Sequence, residues 1–180
     1  MLLSSDQSCL LMVDMQEKLL PVTDGPETVA DNCTILMKAA ARMSVPILIS
    51  EQYPKGLGYT LSDLISISGQ NEAVEKLTFS CMGEDTYVQR FDEIARCQAV
   101  IAGIETHVCV LQTAFDLIER GHDTFVVADA VTSRTPLNRQ TALDRMKEAG
   151  VTIVTTEMVV FEWLRIAGTP EFKELSALVR

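Results

Sequence analysis

Short runs of consecutive apolar residues alternate along this chain with longer stretches in which apolar residues recur every three or four positions. The short runs predict buried strands, and the longer ones amphipathic helices. Strands are expected at 9–13, 46–50, 71–76, 99–102, 124–128 and 151–154; the third is short and ends at Lys76. Helices are expected at 27–43, 85–95, 110–118, 136–149 and 156–166, with a last helical turn or two within 171–179. Pro136 falls near a first turn and Gly150 just past a helix end, as helix termini favour. The segment 53–59, with Pro54, Gly56 and Gly58, is the main loop signal.

Strands this apolar must be covered on both faces, so the alternation predicts an α/β fold of three αβα layers. The expected architecture is one domain over 1–180, a doubly wound six-stranded, mostly parallel sheet joined by right-handed crossovers. The 180 residues, 47% of them apolar, suit one sizeable core. A net charge of −10 argues against nucleic acid or an acidic membrane as partner, since phosphates need Lys and Arg. No apolar run is long enough to span a bilayer. The opening Met-Leu-Leu-Ser-Ser-Asp lacks a basic region followed by a long apolar stretch, so no signal peptide is expected. Cys9, Cys33, Cys81, Cys97 and Cys109 are odd in number and contain no C-x-x-C pair. They read as neither a disulfide framework nor a zinc site, and a reducing cytoplasm is the expected location.

The run Ile101-Ala-Gly-Ile-Glu-Thr-His-Val-Cys109-Val110 reads as a strand that passes through Gly103 into a polar turn, with Cys109 where the next helix begins. The positive end of that helix dipole favours thiolate and pulls a cysteine from ~8.5 into the range of about 3.5–7.5. A nucleophile at neutral pH is built this way; a buried structural cysteine is the alternative. Asp14, Lys76 and Cys109 all follow strands, and the carboxyl ends of parallel strands line the ligand crevice of such sheets. Asp14 is read as a general base for the thiol, or else as a helix N-cap. Lys76 is read as the charge that holds thiolate and carboxylate, or else as a solvated lysine. Backbone N–H groups in the turn at Val108 and Cys109 would stabilise an oxyanion. Glu51 and Tyr53 sit on the loop that would roof the site and are candidate substrate contacts. Phe79 is a pocket wall or plain core. Glu105 reads a substrate amine or faces a partner chain. Cys9, Cys33 and Cys97 are expected as core fillers, and Cys81 near the mouth of the site.

Four segments carry a resemblance: Leu11-Met-Val-Asp-Met-Gln16, Glu75-Lys-Leu-Thr-Phe-Ser80, Gly103-Ile-Glu-Thr-His-Val-Cys-Val110 and Val127-Ala-Asp-Ala-Val-Thr-Ser-Arg134. In order and spacing they resemble the isochorismatase-like cysteine hydrolases over nearly the whole chain. With Glu51-Gln-Tyr-Pro-Lys-Gly-Leu-Gly58 they are most similar to the subgroup of isochorismatase domain-containing proteins. The resemblance implies an Asp–Lys–Cys triad at Asp14, Lys76 and Cys109, and a non-proline cis peptide at Ile104–Glu105. It implies a homo-oligomer, a small-molecule substrate and no cofactor. Gln16 becomes a substrate contact by resemblance, or a brace for the Asp14 loop. Relatives that hydrolyse nicotinamide hold a metal with histidines near the second and third strands. Here only His107 and His122 occur, so no metal is expected. The implied reaction is cleavage of a small amide or ureido C–N bond through a covalent Cys109 intermediate. An idle binding or scaffold member of the fold and vinyl-ether hydrolysis are the alternatives. A dinucleotide-binding reading fails on the first strand's exit, Asp-Met-Gln-Glu, which has no Gly-x-Gly-x-x-Gly.

Overall fold

The computed structural model describes residues 1–69 and 72–179, so Asn71, the expected start of the third strand, lies outside the described residues. The elements run β1 (Ser8–Val13), α1 (Pro26–Arg42), β2 (Ile47–Gln52), α2 (Pro54–Leu57), α3 (Ser62–Ser68), β3 (Val74–Lys76) and α4 (Asp85–Ile94). They continue with β4 (Gln98–Ile104), α5 (Leu111–Glu119), β5 (Asp123–Thr132), α6 (Pro136–Glu148), β6 (Thr152–Val154), α7 (Thr156–Leu164) and α8 (Pro170–Leu175). One six-stranded sheet has the order β3-β2-β1-β4-β5-β6, and every strand pairing is parallel.

Side chains two apart on a strand share a face, and this rule divides the core. Leu10 and Met12 of β1 pack under α1, α3 and α7, in a cluster with Leu36, Leu64 and Trp163. Cys9, Leu11 and Val13 pack under α4, α5 and α6, with Tyr87, Leu117 and Met146. Helix α1 buries Val29, Cys33, Leu36, Met37 and Ala40, the helical spacing that made it legible. Thr135, Thr155 and Thr169 accept N-terminal amides of α6, α7 and α8.

The strand order reverses between β1 and β4, whose exits are therefore the switch point of the sheet. There the two strands are pressed together. Gly103 has φ 119°, and a Cβ on it would stand 2.0 Å from the Val13 carbonyl oxygen. No other residue fits that approach.

Three expectations are corrected. β5 runs on to Thr132, past the expected end at residue 128, because Asp129 does not break the strand. Its carboxylate instead accepts from the Thr156 N–H and hydroxyl and so anchors α7. The loop expected at 53–59 holds the single helical turn α2, entered through Tyr53 in the left-handed region at φ 39°. Helix α3 was not expected, because Ser-Asp-Leu-Ile-Ser-Ile-Ser alternates with a period nearer two than 3.6. Among the described residues no helix is long and apolar enough to cross a membrane.

Candidate active site

β1 ends at Val13, and Asp14 turns away in the left-handed region at φ 50°. Its side chain is fully buried. Lys76 closes the edge strand β3 and reaches back beneath the exit of β2. Its ammonium lies 2.8 Å from Asp14 Oδ2, with both side chains at 0% exposure. It also donates to Gln52 Oε1 at 2.7 Å and meets the carbonyls of Phe79 and Thr78 at 3.1 and 3.2 Å. Three protons thus find oxygen in every direction, which is how a buried lysine remains charged. Burial works against that charge, but the Asp14 carboxylate outweighs it by charge and hydrogen bond, and the ammonium is held above its ordinary range.

β4 leaves the sheet through a cis peptide at Ile104–Glu105, where the resemblance placed it. A single π-type turn, Thr106–Val110, follows and runs into α5. Such turns occur frequently at functional sites. Cys109 lies in this turn, buried, and near enough to Asp14 for the carboxylate to act on its thiol. Asp14, Lys76 and Cys109 come from three different strand exits and meet in one cluster.

The electrostatics reverse one expectation. Burial and the Asp14 carboxylate push the Cys109 thiol up, and Lys76 only partly offsets them. The helix-dipole reading considered a thiol at an open helix end. In the folded site, Asp14 and Lys76 already neutralise each other, so a thiolate would add a net negative charge to a buried cluster. Burial and the Asp14 carboxylate both favour a resting proton on sulfur. Moving it to Asp14 leaves the total charge of the site unchanged, so the arrangement suits transfer on demand.

The surrounding residues divide into braces and rim. Gln16 is fully buried; its amide donates to the Gly58 and Gln52 carbonyls and accepts from the Gln52 N–H. It braces the β1 exit, one of its two expected roles. Glu51 is likewise buried and accepts from the Thr60 N–H at 2.6 Å. The Val108 N–H donates to the Glu105 carbonyl, so it is engaged and not open to an oxyanion. The Glu105 carboxylate pairs with Arg134 at 2.9 Å. His107 bonds the Ser133 hydroxyl through Nδ1 at 2.9 Å. Phe79 is 54% exposed and is rim, not core. Tyr53, also exposed, lines a cleft of about 300 Å³ beside Lys76, together with Pro54, Lys55, Glu75, Leu77 and Glu84. A larger groove of about 450 Å³ over α7 holds none of this cluster. Cys81 is fully buried beneath the site and not at its mouth, and Cys97 is exposed where a core residue was expected.

Ser50 was missed. Its hydroxyl donates to Asp14 Oδ1 at 2.8 Å, opposite Lys76. Ser50 opens the polar end of β2, Ser50-Glu51-Gln52, and nothing in the residue pattern sets it apart there. Among the described residues no group of three or more His, Cys, Asp and Glu side chains gathers as a metal site.

Comparison with known proteins identifies the family and the fold. The isochorismatase domain model matches residues 8–158. Isochorismatase domain-containing protein 2 of Danio rerio is 38% identical over 177 residues, 98% of this chain and 89% of that protein. Among solved structures, the MAR1 ribonuclease of Caenorhabditis elegans superposes with a TM-score of 0.93 at 33% identity, covering 99% of this chain and 92% of that one. The YcaC product of Escherichia coli, an octameric hydrolase of unknown specificity, has a TM-score of 0.93 at 25% identity, covering 98% and 90%.

Proposed function

The chain belongs to the isochorismatase family of hydrolases, and on that premise we propose that it cleaves a small amide or ureido C–N bond through a covalent Cys109 intermediate. The observation that carries this reading is the sealed Lys76–Asp14 pair, 2.8 Å apart and fully buried, with the buried Cys109 thiol in the same cluster. A base and a cation this costly to bury, set on a thiol, suit chemistry better than stability.

In the proposed reaction Asp14 takes the thiol proton as sulfur attacks the carbonyl carbon and the carbonyl electrons move to oxygen. The oxyanion collapses, the C–N bond breaks, and Asp14 returns the proton to the leaving nitrogen. Water then gives a proton to Asp14 and its hydroxyl to the thioester carbon. The C–S bond breaks, and the departing sulfur recovers the proton. Lys76 stays charged throughout and balances whichever of carboxylate and thiolate is ionised.

Ribonucleolysis, the activity in the name of the Caenorhabditis elegans neighbour, fits this chain poorly, because a net charge of −10 repels a phosphodiester chain. We also propose self-assembly, as in the octameric Escherichia coli neighbour, and a reducing compartment, which five free cysteines suit.

The test is a panel of small primary amides and ureido compounds, read by ammonia release and by intact-protein mass. Turnover should come with an acyl adduct on Cys109. Cys109→Ala should lose both, and Asp14→Asn should lower kcat by about 10²–10⁴. Ammonia release that persists in Cys109→Ala, or a panel giving neither adduct nor product, overturns the reading.

A further inference from the structure

Asp14 is held from one side by Lys76, but what lies on its other side has no part in the proposed chemistry. Ser50 grips Asp14 at two points. Its carbonyl accepts the Asp14 N–H at 3.2 Å, and its hydroxyl donates to Oδ1 at 2.8 Å. Behind Ser50 stands Cys81, whose thiol donates to the Ser50 oxygen at 3.4 Å. Behind Cys81 stands Tyr87, whose buried hydroxyl has no hydrogen-bond partner among the described residues. All three side chains are buried inside the α4 side of the sheet.

We propose that Cys81 and Ser50 form a one-way hydrogen-bond chain ending on Asp14, in which Ser50 is the positioning residue that keeps the carboxylate ionised and aimed at Cys109. This deepens the cysteine-hydrolase reading and rests on it.

The direction of the chain follows from proton counting. An ionised carboxylate only accepts, so the single Ser50 proton must point at Asp14. With its proton committed there, Ser50 oxygen can only accept from Cys81. Burial pushes the Cys81 thiol up, so it keeps the proton it must donate. Donors aligned head to tail strengthen one another in a dry interior. The chain also engages the proton of the second buried thiol, Cys81, on Ser50 and so holds it back from acting as a nucleophile. The groups facing Asp14 are Lys76 from β3, Ser50 from β2, Cys81 from the segment after β3 and Cys109 from the turn after β4. Tyr87 of α4 stands behind them.

The experiment is the pH profile of iodoacetamide labelling at Cys109, located by mass spectrometry, with exposed Cys97 as an internal reference. Labelling needs the proton shared by Asp14 and Cys109 to be free to move between them. It should therefore fall on the acid side, where a second proton enters the pair. Removing the donor in Ser50→Ala should move that acid midpoint up by about one pH unit, the size of one hydrogen bond to a charge. Ser50→Thr should restore it, and Cys81→Ala should give a smaller shift of the same sign. If Ser50→Ala does not fold, Cys81→Ala carries the test alone. Midpoints in Ser50→Ala and Cys81→Ala that superimpose on the wild type, while Asp14→Asn abolishes the acid limb, would overturn the chain and leave the triad standing. A wild-type profile that follows Cys97 would instead remove the triad reading itself.

Discussion

Two acid–base pairs flank Cys109 at nearly the same distance and in opposite surroundings. Lys76 and Asp14 meet at 2.8 Å with neither side chain exposed. Arg134 and Glu105 meet at 2.9 Å, but the arginine is 64% exposed and the glutamate 11%. Distance alone would rank them equal. Environment separates them, because water screens the second pair and cannot reach the first. The sealed pair needs five oxygens around its ammonium and carboxylate to exist at all: Gln52, Thr78 and Phe79 on the lysine, Ser50 on the aspartate, and each other. The open pair needs no such support. A fold carries so much supporting structure where a charge must be kept dry and in place, and this is the physical basis for placing chemistry at Asp14 and not at Glu105.

The comparison breaks most sharply when one partner is removed from each pair. Lys76→Met leaves a buried carboxylate uncompensated and should cost about 3–5 kcal/mol in urea unfolding. Adding Asp14→Leu should return part of that loss, since two apolar groups replace two charges. Arg134→Gln supplies the contrast in the same measurement. Equal losses at Lys76 and Arg134 would mean that water reaches both pairs, and the environmental argument would fail.

Much of this was legible from residue patterns, for reasons that also mark the limit. Parallel strands buried on both faces announce themselves as apolar runs, and their carboxyl ends must share one edge. Asp14, Lys76 and Cys109 could therefore be placed together from their positions after three runs. The brackets around the site were not legible. Ser50 reads as the polar end of a strand, and its hydrogen bond to Asp14 depends on the β1–β2 register, which pairs Val13 with Ser50. Gln16 and Glu51 read as loop residues free to meet a substrate, yet the turn at α2 folds back on them and takes their polar atoms. Cys97 follows α4 in a connection whose exposure no periodicity encodes. The state of the Cys109 thiol was read from its helix alone, whereas its strongest influences, burial and Asp14, arrive from elsewhere in the fold.

A pH titration of stability sharpens the same contrast at smaller amplitude. The unfolded Cys109 thiol ionises near ~8.5, while the folded one is pushed well above that. Its contribution is fully present below the unfolded value and is lost as pH rises through the gap, since the unfolded chain then binds fewer protons. The slope is about 1.4 kcal/mol per pH unit for one thiol. Cys109→Ala should flatten the decline of unfolding free energy above pH ~8.5 by that amount. Cys97→Ala, at an exposed position, should leave it unchanged. Equal flattening by both variants would show that Cys109 is not dry in solution. Lys76 adds a later loss of the same sign. Its ammonium is raised, so its contribution holds below the unfolded value of ~10.4 and fades above it.

The smallest effect belongs to the open pair, and salt isolates it. Arg134→Gln should cost about 0–1 kcal/mol, because the exposed guanidinium gains little from its partner beyond what water provides. In about 1 M salt, where the screening length falls to ~3 Å, even that difference should vanish. The cost of Lys76→Met should persist there, since ions do not enter a cluster that excludes water. Cys109 labelling should be unaffected by Arg134→Gln, because the carbonyl of Glu105, not its carboxylate, receives the Val108 and Val110 amides of the turn. A salt-independent loss at Arg134, or a change in Cys109 labelling, would show that the second pair braces the nucleophile's turn. The division between a sealed, chemical pair and an open, peripheral one would then have to be redrawn.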